Sequence, residues 1–241
     1  KALEGIRFPA AFSALIFGGA LSVAGLLMQT FFRNPLAGPS VLGLTSGSTL
    51  GVAIAVMAGG TLGIESFWVQ QLNYVIFALV GGLGVLLLIL GISRKMKSTV
   101  TLLIVGLMIG YLASSLVSVL ASFSGESELK EFVHWGFGSF GKVDSYWIIS
   151  ISAALLAGLV VCCLAMARQL NGWLLGDVYA RSTGINTKKL RWVLLLIAGL
   201  LTAVVTAFCG PIAFLGLAVP HLVRGIFKTS NHTTLILGCL L

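Results

Sequence analysis

WVLLLIAGLLTAVVTAFCGPIAFLGLAVPHLV, residues Trp192–Val223, runs for 32 positions without an Asp, Glu, Lys or Arg. A helix needs about 20 apolar residues to cross a hydrocarbon core of roughly 30 Å. The run is therefore long for one crossing and short for two. Gly210-Pro211 interrupts it, and proline removes a backbone donor and clashes with the preceding turn. The stretch predicts a helix over 192–209 and a shorter apolar segment over 212–224, which either spans or re-enters.

The same pattern repeats along the chain. Charge-free runs cover Phe8–Phe32, Asn34–Ile64, Ser66–Ser93, Ser98–Gly125 and Ser145–Ala167, of 25, 31, 28, 28 and 23 residues. Inside lipid the backbone must satisfy its own hydrogen bonds, so such runs should be helical. They are too long and too continuously apolar for the alternating strands of about 10 residues in a membrane barrel. After trimming the connections, helices are predicted over 9–31, 41–59, 72–92, 100–122 and 146–167.

Composition points the same way. Of 241 residues, 58% are hydrophobic and 9% charged, against about 25% charged in an ordinary soluble domain. Disorder is excluded by the hydrophobicity, and a soluble globule by the shortage of charge for its surface. The net charge of +8 comes from scattered Lys and Arg, not from the clustered basic face that nucleic acid requires. Cys162, Cys163, Cys209 and Cys239 have neither disulfide-framework nor zinc spacing.

The surplus has a direction. Arg33; Arg94, Lys95 and Lys97; Arg168, Arg181, Lys188, Lys189 and Arg191 with Asp177; and Arg224 with Lys228 fall in alternate connections. The intervening ones hold Glu65, and Glu126, Glu128, Glu131 and Asp144 against Lys130 and Lys142. Basic loops mark the cytoplasmic side, so the N-terminal end, with Lys1, Glu4 and Arg7, is expected outside. The first residue is Lys, and the last apolar run, Leu235–Leu241, stops at the final residue. The expectation is a single transmembrane domain over 1–241 that is truncated at both ends.

Several motifs invite a chemical reading. Gly136-Phe137-Gly138-Ser139-Phe140-Gly141-Lys142 fits GxGxxG and nearly a phosphate loop. It lacks a preceding strand and a following Ser/Thr, and it falls outside, so interfacial glycines and aromatics explain it better. The fourth helix carries a small residue at every fourth position: Gly106, Gly110, Ser114, Ser118 and Ser122. Such a ridge permits close helix packing, and its mild polarity also suits a pathway for a polar solute. Arg33-Asn34-Pro35-Leu36-Ala37-Gly38-Pro39 and Gly43-Leu44-Thr45-Ser46-Gly47-Ser48 form an irregular stretch at the membrane edge. Backbone of that kind must be buried in protein or face water, which favours a gate or pathway element over a plain linker.

The cytoplasmic loop 168–191 holds Leu170-Asn171, Leu174-Leu175-Gly176-Asp177-Val178-Tyr179-Ala180-Arg181, Gly184 and Asn186. Short helices punctuated by glycine suit docking to a soluble partner. His221 beside Pro220 reads as a structural cap near Arg224, while His134 and His232 stand isolated. Intramembrane carboxylates, expected of a proton relay, are absent from the runs, and no group of residues converges for covalent catalysis.

Together these elements carry a resemblance to the FecCD family, permease subunits of ABC importers for iron-siderophore complexes, haem and cobalamin. It rests on Arg7-Phe8-Pro9, Gln29, Asn34-Pro35-Leu36-Ala37, Leu42-Gly43, Leu175-Gly176-Asp177 with Ala180 and Gly184, and Gly210 through Pro220-His221 to Arg224. The resemblance implies an all-α permease of type II importer fold, with about seven to eight of ten transmembrane helices present here. It implies a multi-pass place in the bacterial inner membrane and a second permease copy or homologue. Two cytoplasmic ATPase subunits, which alone use ATP, and an external substrate-binding protein complete such a system. No cofactor or metal is expected on the permease, and it is not expected to be an enzyme. Iron-siderophore is the first expected cargo, with cobalamin or haem as alternatives and an ion-driven secondary transporter as the remote one.

By the same resemblance, Leu170, Asn171, Leu175, Gly176, Asp177, Ala180, Arg181 and Gly184 would couple to the ATPase. Asn34, Pro35, Thr45, Ser46, Gly47, Gly110, Ser114 and Ser118 would serve gate and pathway. Arg7 would receive the binding protein, and Pro220, His221 and Arg224 would close the cytoplasmic end. Ala10 stands where the family's R-x-P-R motif has a second arginine, and Asp177 where the coupling loop often has Glu.

Overall fold

The computed structural model describes residues 7–58, 67–96, 98–143 and 145–241. Lys1, Glu4, Glu65, Lys97 and Asp144, counted above in the loop charges, lie outside the described residues, as does residue 59 at the end of the second expected helix. The described residues form helices joined by short connections, with no strand among them. Eleven α-helices follow in order: α1 Phe8–Phe32, α2 Leu44–Ala53, α3 Phe67–Lys95, α4 Thr99–Phe123, α5 Glu126–Gly136, α6 Tyr146–Ala165, α7 Ala167–Leu174, α8 Asp177–Ser182, α9 Thr187–Cys209, α10 Leu215–Phe227 and α11 His232–Gly238. Five of them, α1, α3, α4, α6 and α9, are long and apolar enough to cross a membrane. Two shorter apolar helices, Leu44–Met57 and Leu215–Phe227, accompany them among the described residues.

The charge-free runs place each long helix to within a few residues, and the departures have local causes. The second helix starts at Leu44, because a 3-10 turn at Pro39–Leu42 ends in Gly43 at φ +74°. Its far end loosens into a π turn, Ile54–Ala58. α9 starts five residues earlier than expected, with the Asn186 side chain accepting the Lys189 amide at 3.0 Å. Lys188 and Lys189 are exposed on its first turns, where long cationic side chains reach water, whereas Arg191 is half-buried near the Phe31 ring. The expected 123–145 loop contains α5, whose first turn holds Glu126 and Glu128, a placement that the helix dipole favours.

Beyond Cys209, Gly210 has φ +76°, and the chain stays non-helical until Leu215. The shorter segment therefore begins three residues later than expected and continues to Phe227, with Pro220 inside it.

The chain divides into two compact units. One comprises Lys1–Pro39, Phe140–Leu201 and Ala213–Leu241; the other comprises Ser40–Ser139 and Thr202–Ile212. In the first, α1 packs backbone to backbone on α10, for a Cβ on Gly25 would fall on the carbonyl of Gly216. Pro220 has no amide proton to give that carbonyl its helical partner. The neighbouring carbonyl, of Leu217, accepts the Gln29 side-chain amide at 3.1 Å.

In the second unit α2 meets α3 through Gly47, Gly51 and Gly81 and meets α4 through Gly43, Gly106 and Gly110. Its apolar core gathers Val52, Val56, Ala78, Ala207 and Trp135, the last supplied by α5. The Tyr74 hydroxyl of α3 donates a short hydrogen bond to the Glu131 carboxylate of α5.

Candidate functional site: a glycine-hinged surface loop

The loop 168–191 is built as two short helices hinged at glycine. α7 ends at Leu174, and Gly176, at φ +117° and ψ 158°, turns the chain before Asp177 opens α8. That backbone region is open to glycine alone. Leu170 and Ala180 are fully buried and Trp173 nearly so, which fixes α7 and α8 to the body of their unit. Leu175, Val178 and Tyr179 point the other way and are 65%, 84% and 49% exposed. Three large apolar side chains thus lie bare on a basic loop beyond the apolar spans. Asp177 and Arg181 pair at 2.7 Å across one helical turn, with both side chains largely solvated; such a pair adds only a few tenths of a kcal/mol. Gly184 follows at φ +82°, also exposed. Beside the exposed face lies an open cavity of about 430 Å³, bordered by Arg168, Asn171, Leu175, Tyr179 and Thr183.

Polar contacts bind this loop to the ends of α1 and α11 in the same unit, and α10 is tied in turn to α1. Arg33, just past α1, donates to the Trp173 carbonyl at 2.8 Å and lies 4.8 Å from the Trp173 ring centre. Asn171 holds His232 at the head of α11, and His232 in turn meets Thr30 of α1 at 2.8 Å. The Arg224 guanidinium of α10 makes a short hydrogen bond to the Gln29 side-chain oxygen. His232, read from sequence as isolated, is fully buried and bonded at both ring nitrogens. Burial, and then the charge of Arg224, push its pKa down to about 4, so the ring is neutral at ordinary pH. Charge alone places Arg33, Arg168, Arg224 and Lys228 on one side of the membrane. The contacts among α1, α7, α10 and α11 gather those same ends.

The other candidate residues sit as follows. Asn34 is half-buried, and its side-chain oxygen accepts the Leu36 amide at 3.0 Å, shaping the turn in which Pro35 is exposed. In α2, Thr45 and Ser46 are half-buried and Gly47 is buried against Gly81 and Val85. The small-residue ridge of α4 divides. Gly106 and Gly110 pack against Leu42 and Gly43, whereas Ser114, Ser118 and Ser122 are exposed. The Ser118 and Ser122 hydroxyls donate to carbonyls one turn back, at 3.1 and 3.0 Å. That serine face is consequently less polar than its composition suggests, since its donors are spent within the helix. Only 17% of the α4 apolar window is buried in the chain, against 72% for α1 and α9, which leaves α4 the most open of the five.

Arg7 is exposed immediately before α1. Pro220 is buried within α10, His221 is exposed one residue on, and Arg224 is half-buried. The GxGxxG motif follows helix α5, not a strand, and Gly138 packs on the Pro211 carbonyl. No group of His, Cys, Asp or Glu among the described residues could hold a metal ion, and the four cysteines are free.

Comparison with known proteins matches the model of the FecCD transport family to residues 2–241. The vitamin B12 import system permease protein BtuC of Escherichia coli O157:H7 (strain EC4115 / EHEC) is 34% identical over 238 residues, covering 98% of this chain and 70% of that protein. BtuC of Escherichia coli O6:H1 is likewise 34% identical, over 239 residues with the same coverage. A solved structure described as an inward-facing conformation of a metal-chelate type ABC transporter superposes with a TM-score of 0.86 at 28% identity, covering 100% of this chain and 75% of that one.

Proposed function

The chain belongs to the FecCD transport family of ABC importer permeases, and on that premise we propose that it conducts a metal chelate inward across the bacterial inner membrane. ATP is hydrolysed by a separate cytoplasmic subunit, and the permease performs no covalent chemistry and binds no cofactor. Two ATPase subunits, a second permease copy or homologue and an external binding protein complete the working assembly. The observation that carries this reading is the bare apolar triplet Leu175, Val178 and Tyr179 on the glycine-hinged cytoplasmic loop. Exposed apolar residues grouped on a polar loop are the anchors of a protein interface.

The loop transmits work only if the ATPase binds it differently in the inward-open and outward-open states. ATP binding draws the two ATPase subunits together, and the loop, seated on them, carries that movement to the helices that α7 and α8 contact. Thr45, Ser46 and Gly47, and the serine face of α4 at Ser114 and Ser118 beyond Gly110, border the route in this reading. Asn34 and Pro35 shape its edge. Arg7 receives the acidic surface of the binding protein.

Iron-siderophore is the proposed cargo. A second reading, cobalamin, is favoured by the 34% identity to vitamin B12 permeases over 98% of the chain. The test uses full-length permease reconstituted with its ATPase and binding protein in vesicles. Uptake of a labelled ferric chelate should be competed by unlabelled ferric chelates; competition by cobalamin alone would move the assignment to the second reading. Val178→Asp should abolish co-purification of the ATPase while leaving membrane insertion intact. Normal co-purification in that variant would remove the docking assignment.

A further inference from the structure

The clearest feature not yet given a role is His232. It is the first residue of α11, fully buried, outside the five long apolar helices. Its Nδ1 lies 2.6 Å from Asn171 Oδ1, and its own backbone amide donates to that same oxygen at 2.9 Å. Its Nε2 lies 2.8 Å from Thr30 Oγ1.

The proton positions follow from the partners. Asn171 must present its carbonyl oxygen, because the backbone amide of His232 can only donate. Nδ1 must then carry the imidazole proton, since a bare nitrogen would face that oxygen lone pair to lone pair. In the neutral ring Nε2 is left as an acceptor, and the Thr30 hydroxyl supplies its proton. Thr30 also lies 2.8 Å from the Leu26 carbonyl. That carbonyl is bonded within α1, so turning the hydroxyl proton toward Nε2 leaves nothing unsatisfied. A neutral imidazole combines a donor and an acceptor on opposite edges of one rigid ring.

We propose that His232 is a positioning residue, whose imidazole is the rigid link that passes displacement of α7 in the coupling loop, through Asn171, to Thr30 in the last turn of α1. The inference rests on the coupling reading of the loop and names a part of its transmission. Buried hydrogen bonds of this kind are costly to leave half-made. A shift of Asn171 therefore drags the ring, and the ring drags Thr30.

The decisive readout is chelate transported per ATP hydrolysed in the reconstituted full-length importer, with ATPase co-purification measured separately. Thr30→Val keeps the shape of the side chain and removes the Nε2 partner. Thr30→Ser keeps the hydroxyl, and His232→Phe keeps a ring with neither bond. Thr30→Val and His232→Phe should each lower the transport ratio about tenfold, the effect of one buried hydrogen bond left unmade. Thr30→Ser should hold the wild-type ratio. The Thr30→Val/His232→Phe double variant should be no worse than His232→Phe, because both changes cut one link. An unchanged ratio in Thr30→Val, equal losses in Thr30→Val and Thr30→Ser, or additive losses in the double variant would overturn the link. Should His232→Phe fail to accumulate, the Thr30 pair still decides. Failure of the coupling reading registers elsewhere, as normal ATPase co-purification in Val178→Asp.

Discussion

Replacing Gly43 with alanine should destabilise the protein, while the same replacement at Gly110, across the same contact, should not. Gly43 has φ +74°, a left-handed conformation that costs an L-residue roughly 1–2 kcal/mol. The added methyl would stand 2.9 Å from the Gly106 carbonyl oxygen and 2.9 Å from the Gly110 nitrogen. Comfortable contact at a carbon begins near 3.5 Å, so α2 and α4 must part by about half an ångström. Both obstacles are backbone and cannot rotate aside. Overpacking of this kind costs about 1–3 kcal/mol, for a total of roughly 2–5 kcal/mol.

Seen from the other side, a Cβ on Gly110 would meet Gly43 Cα at 3.4 Å and Ser46 Oγ at 3.5 Å, ordinary contacts. Gly110 lies within helix α4, where alanine gains up to about 1 kcal/mol in propensity. The assay is thermal unfolding of the full-length permease in detergent, followed by size-exclusion after heating. At about 2–4 °C per kcal/mol for a chain of this size, Gly43→Ala should lower Tm by roughly 4–20 °C. Gly110→Ala should match or exceed the wild type. Equal Tm values for Gly43→Ala and the wild type, or equal losses in both variants, would refute the argument from geometry.

His232 sets a pH dependence. Its folded pKa near 4 lies below the ordinary 6.5, so between those values the unfolded chain binds a proton that the folded chain does not. Stability is complete above pH 6.5 and should fall by about 3 kcal/mol as pH drops from 6.5 to 4, the group facing Arg224, Asn171 and Thr30. Chemical unfolding at stepped pH should show that slope in the wild type and lose it in His232→Phe; equal slopes would contradict neutral burial. Gly176→Ala meets no neighbour within 4 Å, yet its φ of +117° strains any side chain. That strain, about 1–3 kcal/mol, should turn α8 and weaken ATPase co-purification about tenfold, and unchanged co-purification would show that the hinge angle is irrelevant. Arg7→Glu should weaken binding-protein association most at low salt, where exposed charges act over longer distances; a salt-independent effect, or none, would remove Arg7 from docking.

What the sequence made legible, and what it did not, divides by range. Long charge-free runs mark helices because lipid permits little else, and α1, α3, α4, α6 and α9 lie where those runs put them. Glycine and proline mark breaks because their backbone limits are intrinsic, and the chain turns at Gly43, Gly176 and Gly210. Helix starts outside lipid, such as Thr187, depend on a cap and on solvated charges, and a count of apolar residues does not register them.

The polar network among the ends of α1, α7, α10 and α11 was illegible for a different reason. Thr30 and His232 are 202 positions apart, Gln29 and Arg224 195, Arg33 and Trp173 140. Each residue alone has a bland explanation, and nothing local in the sequence joins the pairs. Yet charge assigns Arg33, the loop 168–191, Arg224 and Lys228 to one membrane face, and opposite-face residues cannot bond. Orientation by charge therefore narrows the candidate partners of a buried histidine near Lys228 to that one face. Among them, Asn171 and Thr30 are polar groups on helices already bound there through Arg33. The topology contained the constraint, and the fold supplied the pairing.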